Sequence, residues 1–95
     1  MRKSMRVLGA RIAIKSVSKL PMGDDTTLGV AEVLDEITYV HKDLSKHALP
    51  RIIMHEAVHH AMWISGVSQV INPATEETLA QVFTRLYYEL KEQGF

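Results

Sequence analysis

Along the chain the spacing of apolar positions changes once, from every second residue to every third or fourth. In residues 5–17, Leu8, Ala10, Ile12 and Ile14 alternate with Gly9, Arg11, Ala13 and Lys15, the pattern of a strand with one buried face. Gly9 is the point at which that strand can break in two. Residues 29–34 and 37–40 are two further strand-like runs around Asp35-Glu36, which suits a hairpin with Ile37 and Tyr39 on one face. The intervening Leu20-Pro21-Met22-Gly23-Asp24-Asp25-Thr26-Thr27 is polar and turn-rich, so it reads as an exposed loop, and its Asp24-Asp25 pair is a weak metal signal.

Beyond residue 45 the period is helical. A first helix is expected to begin between Ser45 and Leu49, with Pro50 in its first turn, and to end before Gly66. Met62, Trp63 and Ile64 in its last turn are assigned to the core. A second helix opens on Asn72 as cap and Pro73 as first residue. Its apolar stripe of Leu79, Val82, Phe83, Leu86 and Leu90 is expected to face the core and the first helix. Residues 67–72 are enough for a chain reversal, so the helices can lie antiparallel. The fold class expected is α+β, a small antiparallel sheet of about three strands followed by two packed helices, in a single domain over residues 1–95.

Composition narrows the context. No apolar run approaches the roughly 18 residues of a membrane span, and no membrane partner is expected. A formal net charge of zero argues against a nucleic-acid footprint, and the Arg2, Lys3, Arg6 cluster reads as a solvated terminus. That basic stretch leads into Gly9 and Arg11 rather than a long apolar region, unlike a signal peptide. With no cysteine there is no disulfide frame and no thiolate zinc site. A cytoplasmic location is the expectation.

The chemistry is concentrated in Ile53-Met54-His55-Glu56-Ala57-Val58-His59-His60-Ala61. Residues four apart on a helix stand about 40° apart around its axis, so His55 and His59 can grip one ion. Neutral imidazoles bind zinc at about 2.0–2.1 Å, and Glu56 borders the same cleft, where a carboxylate suits a general base. Zinc lowers the pKa of a bound water towards about 7, so Glu56 can take its proton and pass it to a leaving amine. The uncharged residues around the motif favour a buried helix, and buried histidines need partners. His60 is turned about 100° from His59 and reads as a packing or solvent histidine.

A catalytic zinc takes a third protein ligand and keeps one position open. No His follows His60 and no Asp follows Asp43, which leaves Glu76, Glu77, Glu89 and Glu92. Measured from the centre of the second helix's apolar stripe, Glu76 lies about 50° away and Glu77 about 150°. The face argument therefore favours Glu76 as third ligand and sends Glu77 to solvent.

His55-Glu56-x-x-His59, a loop containing Gly66 and Glu76-Glu77 opening a second helix resemble the gluzincin metallopeptidases. The chain looks most like their minimal versions, the minigluzincin-like or phage-type small zinc proteases, over residues 49–90. The resemblance implies a minimal zincin-like fold and a zinc-dependent peptidase acting on a peptide or protein. In it His55, His59 and a downstream Glu hold Zn2+ and Glu56 is general base. The alternative is a catalytically inactive, zinc-stabilised protein-binding module. The family pattern also places an Asp four residues after the ligand Glu; Ala80 and Gln81 stand there instead, which leaves the histidines' orienting partner to be found. Tyr39 and His41 are candidates for a secondary electrophile, and by resemblance residues 36–41 would be the edge strand that pairs with substrate.

Overall fold

The computed structural model describes residues 2–22 and 27–95. The Asp24-Asp25 pair lies outside the described residues. Strand β1 (Ser4–Val7) turns through Leu8-Gly9 into β2 (Ala10–Val17), and the two pair antiparallel with Val7 opposite Ala10. Both turn residues have positive φ, 46° at Leu8 and 87° at Gly9, as the tightest two-residue hairpin turn requires. The single run in residues 5–17 is thus two strands. Strand β3 (Gly29–Glu32) and strand β4 (Ile37–His41) follow, then helix α1 (Ala48–Ile64), a short 3-10 turn (Val67–Gln69) and helix α2 (Pro73–Glu92).

The result is an α+β fold with four strands in the order β1-β2-β4-β3. The sheet is mixed rather than antiparallel. β4 pairs antiparallel with β3 but parallel with β2, because the chain crosses from β2 to the far edge before returning up the middle. β4 is therefore internal and β3 is an edge, so residues 36–41 do not form the edge strand expected by resemblance.

One sheet face packs on α1. Val7, Ile12, Ile14, Thr38 and Val40 are buried on it, and the Thr38 hydroxyl lies 2.9 Å from His60 Nε2. His60 is thus a buried packing histidine, and its pKa is lowered chiefly by burial. Since side chains alternate across a strand, Tyr39 and His41 project from the opposite face, away from α1. Neither stands where an electrophile for chemistry on α1 is needed.

α2 covers the other side of α1, where Val58, Met62 and Ala80 form a core with Met54, Ile71 and Leu79 packed around it. The Asn72 side chain accepts a 2.8 Å hydrogen bond from Thr75 N, and Pro73 occupies the first turn. The line of α2 that meets α1 runs through Glu76, Ala80, Thr84 and Tyr88, each at least partly buried. Of the apolar stripe, Leu79 packs against this core, whereas Val82, Phe83, Leu86 and Leu90 are 41–52% exposed, so most of the stripe lies beside this line and not on it. Ala80 decides the rotation: a helix approaches its neighbour most closely where its side chain is smallest. At the end of α1, Met62 is buried, whereas Trp63 and Ile64 are exposed.

Candidate metal centre

α1 is wedged between sheet and α2, and its His55, Glu56 and His59 open toward the junction of α2 and β3. His55 and His59 sit one turn apart with ring centroids separated by 5.1 Å. From α2, Glu77 reaches both: its Oε1 lies 2.5 Å from His55 Nε2 and its Oε2 3.6 Å from His59 Nε2. Donor atoms of His55, His59 and Glu77 all fall within 4.8 Å of one another. A tetrahedral zinc with bonds of about 2.0–2.2 Å holds its ligand atoms about 3.3–3.5 Å apart. Two neutral imidazoles and a carboxylate are a suitable donor set for zinc, with room for a fourth ligand.

Glu76 does something else. Its Oε2 accepts a 2.7 Å hydrogen bond from His59 Nδ1, which leaves the lone pair of His59 Nε2 available to a metal ion. Burial alone would raise the Glu76 carboxyl. The neighbouring Ser68 hydroxyl, buried and otherwise without a partner, and the bond to His59 outweigh it, and the pKa is lowered. Glu76 is thus a hydrogen-bond partner of His59, at a helix where positions 80 and 81 carry no carboxylate.

The face argument placed Glu76 at the metal and Glu77 in solvent; both glutamates reach the histidines, by different atoms. Taken from Ala80, Glu76 lies about 40° to one side and Glu77 about 60° to the other, so the pair straddles the line of contact. Glu76 is the more buried of the two and Glu77 is half-exposed, although the apolar stripe is centred about 100° from the face that packs. Ala80, one turn after Glu76 and one turn before Thr84, lies on the contact line. Glu89 and Glu92 are exposed at the far end of α2, where Glu92 pairs with Arg51 at 3.3 Å.

Glu56 is only 7% exposed, and burial pushes its carboxyl from 4.5 up to about 7. Attraction to His59 and a hydrogen bond from the Ala31 backbone oppose the rise, while the nearby Glu77 charge adds to it. Gly29 makes this placement possible. A Cβ there would come 2.6 Å from Ile52 Cγ2 and 3.2 Å from Glu56 Oε2, so the backbone of β3 approaches α1 only because position 29 has no side chain. A cleft of about 350 Å³, lined by Gly29, Ala31, Val33, Glu56, His59 and Glu76 among others, joins the edge strand to His59.

No protein-family model, curated protein or solved structure matches the chain.

Proposed function

We propose that the chain is a zinc-dependent peptidase, in which His55, His59 and Glu77 hold the metal, Glu76 orients His59 and Glu56 is the general base. The observation that carries this reading is a His-His-Glu donor set from two helices whose His59 shares a cleft with the buried, proton-accepting carboxylate of Glu56.

A zinc ion there supplies Lewis acidity and an acidified water near neutral pH. The chain's own residues do the rest. Glu56, with its pKa near 7, is matched to accept a proton from water at neutral pH and to return it to the amine that leaves when the peptide C–N bond breaks. Water adds across that bond, its oxygen to the carbonyl carbon and its protons shared between the two products. The position of β3 at the sheet edge, beside Glu56, supports a peptide substrate, because an extended chain can add to an edge strand.

The test is Glu56→Gln. It is expected to keep the metal and to lower zinc-dependent peptide turnover about 10²–10⁴-fold. A variant that cleaves a broad peptide library as fast as wild type overturns the assignment. Stoichiometric zinc with no cleavage by wild type leaves the inactive, zinc-stabilised module in its place.

A further inference from the structure

The formal charge of zero conceals a separation. Residues 1–20 contain six Lys and Arg and no Asp or Glu, while the remaining 75 contain five Lys and Arg and all eleven acids. In the fold this basic segment becomes the β1–β2 hairpin, at the opposite edge of the sheet from β3. Arg6 and Arg11 stand directly across from each other, both exposed, and Lys15 follows on the same face two pleats along. Like charges opposed in this way destabilise a strand pair. Among the described residues, none of Arg2, Lys3, Arg6, Arg11 and Lys15 forms an ion pair. A cleft of about 590 Å³ is lined by Arg2, Lys3, Ser4, Met5, Arg6 and Arg11.

The tip of the hairpin adds a second feature. Leu8 is 65% exposed and holds φ of 46°, a left-handed conformation that favours Gly, Asn or Asp over leucine. An exposed, strained apolar residue thus stands between Arg6 and Arg11 at the end of a cationic ribbon. Within the hairpin no aromatic ring stands beside Arg6 and Arg11; the ring of Tyr39 on β4 is in register only with Lys15, at the other end of the ribbon, so successive nucleic-acid bases have no run of rings on which to stack.

We propose that the β1–β2 hairpin docks the protein on an anionic lipid surface, with Leu8 entering the interface and the arginines and lysines held by headgroup phosphates. This is a peripheral contact and needs no spanning segment; no helix among the described residues is long and apolar enough to cross a membrane. It joins a weak apolar anchor to a polybasic patch, the two signals that stable surface binding requires together. β1 and β3 are three strand spacings apart, roughly 14 Å. Docking by β1 and β2 therefore leaves the cleft beside β3 open.

The experiment is vesicle flotation of the full chain with phosphatidylcholine alone and with phosphatidylcholine mixed with phosphatidylserine. Binding is expected only to the mixed vesicles and is expected to weaken with salt. Each Lys or Arg near such a surface contributes about fivefold, so Arg6→Ala with Arg11→Ala should weaken binding about 25-fold. Leu8→Asn suits the turn, keeps every charge and should weaken binding about tenfold. A fluorescent DNA duplex in the same buffer is the competing probe. No preference for the mixed vesicles overturns the proposal. So does unchanged vesicle binding by Leu8→Asn, and so does binding of the duplex in place of the vesicles, which would assign the patch to nucleic-acid phosphate.

Discussion

The two helices use their residues differently. From Arg51 to Met62 no residue of α1 is fully exposed, because the sheet covers one side of it and α2 the other. In α2 only Ala80 is buried, and a stripe of large apolar side chains faces solvent. Apolar periodicity announces a helix in both cases, but it reports the partner's position only where a helix has partners on most sides. For α2, packed mainly on α1, the buried Ala80 marks the contact and the exposed Val82, Phe83, Leu86 and Leu90 do not.

The strongest way to sharpen the contrast is Glu56→Gln on α1. Besides the loss of turnover above, this change touches a side chain enclosed by β3 and α1, where no residue of the α2 stripe has an equivalent role. Equal loss of turnover from Leu86→Ala would remove the distinction between the helices.

Stability should divide the same way. Met62→Ala, which leaves a cavity between α1 and α2, is expected to cost about 2–5 kcal/mol in urea unfolding of the zinc-loaded protein. Leu86→Ala, on the exposed stripe, is expected to cost less than about 1 kcal/mol. Similar costs for the two would show that the stripe is covered in solution.

A smaller effect comes from Glu56 in metal-stripped protein. Its folded pKa of about 7 exceeds the 4.5 of the free side chain, so protonation favours the folded state. That contribution, about 3 kcal/mol, is fully present below pH 4.5 and is lost as pH rises through about 7. Glu56→Gln should flatten this part of the pH–stability curve and leave metal-stripped protein more stable than wild type above pH 7. A variant that follows the wild-type curve contradicts the burial of the carboxylate.

Much of the fold was legible in local pattern. Alternation from Ala10 to Lys15, the Asn72-Pro73 start of α2 and Gly66 after α1 each express a local backbone rule, and each appears in the structure. The strand order was not legible, since it depends on where the loop after β2 carries the chain and local alternation says nothing of that. Tyr39 and His41 drew attention through their position before α1, but only the register of β4 shows that they face away from it. Helix spacing alone brings His55 beside His59, and Glu56 and His59 to one cleft. The roles of Glu76 and Glu77 depend on the rotation of α2 about its own axis, which the stripe misreported by about 100°.

That rotation underlies the proposed metal centre and can be measured directly by titrating zinc into metal-stripped wild type, Glu76→Ala and Glu77→Ala at neutral pH. The account predicts one tight zinc in wild type, a roughly 10–100-fold loss of affinity for Glu76→Ala through the freed His59 ring, and a larger loss for Glu77→Ala through a missing ligand. Wild type that binds no zinc, or a Glu77→Ala variant that binds it as tightly as wild type, would contradict the account.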